Sequence, residues 1–179
     1  MIHLMRGGIF SHLSDLINDY LVGKTDLIGI EIGSYAGESA EMFINSGAFK
    51  RLYCIDPWIQ NYDPNDNTGD DSIPLAEAAF DNRFKNNPIV VKLKLKSSEV
   101  ARLFEDNSID FIYIDGNHQY EFVKEDLINY VPKVKQGGII AGHDYSGPTT
   151  PGVTKAVDEF FGVPPMKTYE DYSWVNIKK

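Results

Sequence analysis

What the chain lacks narrows it first. It carries a single cysteine, Cys54, so no disulfide can form within it, and a lone Cys inside the apolar run LYCI reads as a small buried hydrophobe. No apolar run approaches the ~18 residues of a helical membrane span. The N-terminal segment holds one Arg and no long apolar stretch with a small-residue cleavage site, so no secretory signal is expected and the cytoplasm is the expected location. Positive charge is scarce: 17 Lys and Arg against 26 Asp and Glu leave a formal net charge of −9. A protein that grips phosphate backbones presents a basic face. The densest basic cluster here is Lys92, Lys94 and Lys96, whose alternation marks the solvated side of a strand end. Nucleic acid is therefore not an expected partner. Repeats, low-complexity tracts and linkers are missing as well. The remainder, 42% hydrophobic and 24% charged over 179 residues, is ordinary globular composition and enough for one domain, residues 1–179, with a core that needs no staples.

What is present alternates between two periods. Residues 9–22 put Phe10, Leu13, Leu16, Ile17, Tyr20 and Leu21 at helical spacing, an N-terminal helical extension over residues 1–24. Gly23 turns the chain into LIGIEIG, a near-continuous apolar run expected of a buried parallel strand. A helix closed by Gly47 follows, then the strand RLYCID, a polar stretch, and a helix over 73–86. PIVVKLK, SIDFIYIDG and the segment KQGGIIAGHDY, read as a tight turn and a strand, supply three more strands. Helices over 97–104, 118–131 and 153–162 separate and follow them, and MKTYE with YSWVNIK reads as a closing hairpin. Strands alternating with helices predict a mostly parallel, doubly wound α/β sheet covered on both faces. Ligands of such sheets bind beyond the carboxyl ends of the strands.

The chemistry-bearing residues fall at those ends. The first strand leads through Glu31-Ile-Gly33-Ser34-Tyr35-Ala36-Gly37 into a helix. This loop departs from the dinucleotide pattern G-x-G-x-x-G. The acid two residues before Gly33 would repel a pyrophosphate and suits a cation, such as the ammonium of a methionine moiety. A glycine-bearing strand-to-helix turn is also common without any ligand. Asp56 ends the second strand 23 residues after Gly33, where this architecture accepts ribose hydroxyls; its other role is to cap the Pro57 turn. Trp58 suits stacking on a flat base or a half-buried structural position. Ser97 and Ser98 are both placed to cap the next helix, and Ser97 to lie beside an adenine. Asp115 and His118 follow the fourth strand, and His143 and Asp144 the fifth. Carboxylates with an imidazole can hold a divalent cation, and His118 at a helix start is a candidate general base.

These residues in this order resemble the class I S-adenosylmethionine-dependent methyltransferases. The resemblance runs from about residue 27 to the C-terminus through the loop Glu31–Gly37, Asp56, FIYIDGNHQY and KVKQGG to GHDY. It is nearest to small-molecule enzymes of the macrocin O-methyltransferase and cephalosporin-hydroxylase-like group. It implies a Rossmann-like seven-stranded sheet with an antiparallel C-terminal hairpin. It also implies an S-adenosylmethionine site of Glu31, Gly33, Ser34, Tyr35, Gly37, Asp56, Trp58, Ser97 and Asp115. Metal-dependent relatives hold magnesium with an acid at the Asp115 position and a pair at the 143–144 position, which makes Asp115, His143 and Asp144 the metal candidates. That pair begins here with an imidazole, whereas magnesium prefers oxygen. The expected reaction is methyl transfer to an oxygen of a small-molecule acceptor, with Asp115 and His118 catalytic.

Two other readings stand beside it. Tyr120 and Lys124 have the Tyr-x-x-x-Lys spacing of nicotinamide-dependent reductases, but Gly33 and Gly37 do not complete the reductase glycine motif. A binding domain without chemistry is the other. Asp63-x-Asn65-x-Asn67-x-Gly69 is spaced almost like a calcium loop. Its glycine comes one place late and no Glu stands at the twelfth position, so it reads as a solvated turn.

Overall fold

The structure, a computed structural model, describes residues 13–60, 62 and 72–179. The apolar runs become the strands of one sheet. β1 (Leu27–Ile32), β2 (Phe49–Ile55), β3 (Val90–Leu93), β4 (Ile109–Ile114) and β5 (Val134–Gly142) run parallel. β6 (Lys167–Thr168) and β7 (Trp174–Ile177) form an antiparallel hairpin, and β7 docks antiparallel on β5. The order is β3-β2-β1-β4-β5-β7-β6, the expected seven-stranded sheet with its antiparallel hairpin. Helices α1 (Leu13–Tyr20), α2 (Glu38–Asn45), α3 (Ile73–Phe84), α4 (Ser97–Val100), α5 (Tyr120–Tyr130) and α6 (Pro151–Phe161) cover both faces. Among the described residues, no helix is long and apolar enough to cross a membrane.

The two-residue period of β4 shows how one strand serves two cores. Phe111 and Tyr113 point to the face shared with Leu16 of α1, Phe43 of α2 and Phe80 of α3. Ile112 and Ile114 point to the other, against Val123 and Leu127 of α5 and Val153 and Val157 of α6. Each such burial contributes about 1.5–3 kcal/mol. Phe43 meets Phe111 and Tyr113 edge-on at 5.1 and 5.0 Å between ring centroids, a preferred aromatic geometry. Cys54 is fully buried on that same face, as its apolar run predicts.

Two local expectations change. The segment 135–138 is not a turn before β5 but a bulge within it. Ile109 pairs with Val134 while Phe111 pairs with Ile139, so four residues stand opposite Asp110. Asp110 fixes the bulge, taking Lys135 Nζ at 2.7 Å and the Ile28 N–H at 2.9 Å. Ser97 is not a cap but the first residue of α4; Lys96 precedes it, and the Lys96 N–H donates to Glu99 Oε2 at 3.0 Å. Phe10 and the Asp63–Gly69 turn lie outside the described residues, as does most of the polar stretch after β2.

The chain moves outward from β1 through β2 to β3, then returns to β4 on the other flank of β1. The reversal between β1 and β4 opens a crevice beyond their carboxyl ends. Gly33, Asp56, Asp115 and His143 are the residues that immediately follow β1, β2, β4 and β5.

Candidate active site at the strand ends

Gly33 sits at the centre of the crevice. Its N–H donates to Ile55 O beside Asp56 at 2.8 Å, and the Asp115 N–H donates to the neighbouring Ile32 O at 2.9 Å. Its φ is +88°, and a Cβ built there would overlap the Asp115 carbonyl oxygen and stand 2.7 Å from Gly116 Cα. Glycine is therefore required by the packing of two strand-end loops as well as by the turn. Gly37 faces elsewhere: its Cα is turned to the Phe84 ring of α3, which a Cβ would approach to 2.6 Å.

Asp56 holds the loop after β1. Its Oδ2 accepts the Tyr35 N–H at 2.9 Å and its Oδ1 accepts the Trp58 N–H at 2.7 Å. Burial raises its pKa, and the two backbone N–H groups oppose that rise. Trp58 holds the same peptide from the other side, its Nε1–H donating to Tyr35 O at 2.9 Å. The Trp58 ring is 5% exposed and packs edge-on against Phe80. It is a core residue that braces the loop, not an open platform for a base. Tyr35 and Trp58 both have left-handed backbones, at φ 44° and 45°. Non-glycine residues are held in that region only where the surroundings over-determine them, and such positions gather at functional sites.

Glu31 and Ser34 lie beneath this loop. Glu31 is fully buried, and its two oxygens accept the Ser34 and Ser39 hydroxyls, each at 2.6 Å. Burial raises its pKa to about 7; the two hydroxyls oppose the rise and the Asp115 charge adds to it. Glu31 thus presents no oxygen at the crevice surface. Of the proposed cofactor residues, Gly33, Tyr35, Asp56, Ser97 and Asp115 keep exposed surface, while Glu31, Ser34, Gly37 and Trp58 are buried.

On the other flank of Gly33 stand two acids and two imidazoles. His118 Nε2 lies 3.1 Å from Asp144 Oδ2 and 3.8 Å from Asp115 Oδ1. His143 Nδ1 lies 3.0 Å from Asp144 Oδ2 and 3.7 Å from Asp115 Oδ1. Burial pulls the His118 pKa down, but the hydrogen bonds and charges of Asp115 and Asp144 outweigh it and hold it at about 10. His143 is likewise lowered by burial and raised, chiefly by Asp115 and Asp144, to about 9. Asp144 is driven well below the usual carboxylate range: burial opposes the shift, and both imidazoles impose it. Each imidazole therefore carries its proton at neutral pH. His118 in that state orients a neighbouring oxygen, and it accepts a proton only after losing its own.

His118 joins the expected metal candidates Asp115, His143 and Asp144 in this cluster. One atom each from Asp115, His118 and Asp144 all lie within 4.8 Å of one another. The turn after β5 explains the aim of Asp144. Its φ is 64°, its carbonyl accepts Thr150 Oγ at 2.9 Å, and the next residue, Tyr145, is buried and donates to Asp158 of α6 at 2.8 Å. Sequence spacing carries no sign of these left-handed positions. Asn117 is another residue it left unassigned: its Oδ1 accepts the Gln119 N–H at 2.9 Å, and its buried Nδ2 has no partner.

The residues of the rival readings are engaged elsewhere. Lys124 Nζ contacts the Tyr120 hydroxyl at 2.9 Å, and the pair is tied to Glu159 of α6 at 2.6 and 2.8 Å. Lys92 pairs with Glu77 and Asp81, and Lys94 with Glu77. The basic strand end is thus largely matched by acids of α3.

The model of a methyltransferase domain family matches residues 30–145, more than half of the chain and all of the site from the end of β1 to the turn after β5. This chain belongs to the methyltransferase-domain family. Its sheet is that of class I S-adenosylmethionine-dependent methyltransferases. The O-methyltransferase NovP superposes with a TM-score of 0.65 at 17% identity, covering 93% of this chain and 76% of NovP. The Streptococcus mutans protein SMU.1697c, solved in complex with SAH, gives 0.60 at 16% identity, over 83% of this chain and 80% of that one. At such identities the likeness is one of fold. Among curated proteins, R132 of Acanthamoeba polyphaga mimivirus is 29% identical over 167 residues. Protein y4gI of Sinorhizobium fredii is 26% identical over 124 residues. The chain spans 66% of the first and 13% of the second.

Proposed function

We propose that residues 1–179 form one S-adenosylmethionine-binding domain that methylates an oxygen of a small hydroxylated acceptor, in the manner of the macrocin O-methyltransferase and cephalosporin-hydroxylase-like group. One observation carries this reading: Gly33 is hydrogen-bonded beside Asp56 and packed on Asp115, so a nucleoside-binding acid and a proton-handling cluster face each other across one glycine. When bound, S-adenosylmethionine supplies an electrophilic methyl group on sulfur. Asp56 accepts the ribose hydroxyls, and the negative charge of Asp115 favours the cationic end of the molecule. Alignment of acceptor and methyl group, which Asp115, His118 and Asp144 provide, supplies much of the acceleration.

The orphaned Asn117 Nδ2 at this rim and the convergence of Asp115, His118 and Asp144 fit a ligand and a divalent cation. These three residues would hold the cation, which would lower the pKa of the acceptor hydroxyl. Two oxygens and one imidazole suit manganese or zinc as well as magnesium. Without a cation, His118 takes the hydroxyl proton when its imidazole is neutral. Because its pKa stands at about 10, metal-free turnover climbs with pH above neutrality.

The test uses labelled S-adenosylmethionine and a panel of sugars and phenols. His118→Ala is expected to lower kcat by about a hundredfold or more with S-adenosylhomocysteine affinity unchanged. Equal loss of affinity and turnover would remove His118 from the proton transfer.

A further inference from the structure

His118 and Asp144 come from different segments. One lies just before α5 and the other just after β5, yet their side chains meet at 3.1 Å. Helix α6 touches both segments, and two residues at its start run against helix stability. Thr150 is the N-cap, where a threonine hydroxyl ordinarily accepts from the first turn. Here it makes no such cap and donates instead to Asp144 O at 2.9 Å. Gly152 is the second residue of α6, and glycine inside a helix weakens it. A Cβ at Gly152 would stand 2.6 Å from His118 O and 2.7 Å from Tyr120 N. The start of α6 therefore lies directly on the backbone that carries His118, with no room for a methyl group.

The rest of α6 repeats this division, because residues three or four apart share a helix face. Gly152, Lys155 and Glu159 form one stripe. Lys155 Nζ lies 4.0 Å from the centre of the Tyr120 ring, and Glu159 accepts the Tyr120 hydroxyl at 2.6 Å and Lys124 Nζ at 2.8 Å. Thr150, Thr154 and Asp158 form another. Thr154 Oγ1 accepts the Ser146 N–H at 2.8 Å, and Asp158 accepts the Tyr145 hydroxyl at 2.8 Å. The first stripe holds the segment of His118, the second the turn of Asp144. Val153, Ala156 and Val157 form a third, buried in the core.

We propose that α6 is a positioning element, in which Gly152 and Thr150 together set the separation of His118 from Asp144. Each acts through the backbone of the residue it holds, not through its side chain. A helix start anchored in the core is stiff, and close packing transmits small shifts, so neither segment moves without the other. Tyr120 and Lys124 gain a role as the ties of α5 to α6. The consequence for turnover rests on the methyl-transfer reading above; the geometry does not.

The experiment follows the His118 Nε2 proton held by Asp144, as a low-field NMR resonance of the full chain with isotope-labelled histidine at neutral pH, assigned with His118→Gln. Gly152→Ala and Thr150→Val are each expected to speed its exchange with water by about tenfold or more. Thr150→Ser keeps the hydroxyl and is expected to stay within about threefold of the wild-type rate. Val157→Ala, in the buried stripe, is expected to lower the melting temperature and leave the rate alone. Exchange unchanged in both Gly152→Ala and Thr150→Val, exchange raised as much by Val157→Ala, or a wild type without the resonance overturns the proposal. Should Gly152→Ala not fold, the two Thr150 variants decide by the same measure. With labelled S-adenosylmethionine and the acceptor panel, Gly152→Ala and Thr150→Val are expected to lose about tenfold to a hundredfold in kcat, with S-adenosylhomocysteine affinity unchanged. A wild type that transfers no methyl group overturns the methyl-transfer reading and leaves the resonance to decide the role of α6.

Discussion

Replacing Gly33 with Ala tests how the two halves of the site are joined. Two costs act at this position. An L-residue at φ +88° loses about 1–2 kcal/mol to left-handed strain. The new methyl also has backbone, not a flexible side-chain end, in its way: the Asp115 carbonyl carbon at 2.5 Å and Gly116 Cα at 2.7 Å. Forcing a methyl into such a place costs about 1–3 kcal/mol more, for about 2–5 kcal/mol in all. Gly47 supplies the control. It closes α2 at φ +74° with nothing within 4 Å of a built Cβ, so Gly47→Ala pays the strain alone. Urea unfolding of the pair should differ by about 1–3 kcal/mol, and melting temperatures by about 3 °C for each of these. Only Gly33→Ala should also disturb the cluster, because the clash pushes Asp115 away from His118 and Asp144; a changed His118 titration by NMR reads this. Equal destabilisation in both variants, with the His118 titration untouched, would refute the packing of β1 on β4 through Gly33.

Two further perturbations follow from the charges. Asp126 has a folded pKa of about 7 against an ordinary value of 3.8. The unfolded chain therefore ionises first, and stability falls as pH rises from about 4 to 7, by at most about 4 kcal/mol. Glu31, held at about 7 by burial, adds in the same window. Asp126→Asn should flatten part of this slope in unfolding curves measured at pH 4.5 and 8; an unchanged slope would show that Asp126 is not buried in ionisable form. Manganese or zinc at about a hundred times its Kd should stabilise the folded protein by about 2.7 kcal/mol. A chelator should reverse the effect and Asp144→Ala should abolish it; a melting temperature indifferent to every divalent ion would remove the cation from the site.

Much of the fold was legible because its signals are local. The apolar runs at residues 27–32 and 109–114 became the central strands β1 and β4, and their ends carry Gly33 and Asp115 where open α/β sheets bind ligands. What was not legible depends on distance through space. Trp58 next to a strand-end acid reads equally well as a stacking surface or a core residue; the choice is made by Phe80, 22 positions away and 5.1 Å off between ring centroids. Gly37 belongs to a glycine loop by spacing, yet it answers to Phe84 of α3. That His118 joins Asp115, His143 and Asp144 at one rim depends on where the helix start and two strand ends meet in space. Asp126 carried no sequence signal at all, since an acid on an amphipathic helix is ordinarily solvated. Only its burial and its unpartnered oxygen set it apart.

The most direct measurement is a calorimetric titration of S-adenosylhomocysteine into the wild-type protein and into Asp56→Ala. Micromolar binding to the wild type, weakened about tenfold or more when the ribose loses its charged acceptor, is the expected result. A folded wild-type protein that takes up no S-adenosylhomocysteine, or an Asp56→Ala variant that binds it as tightly as the wild type, would contradict the assignment of this crevice as the cofactor site.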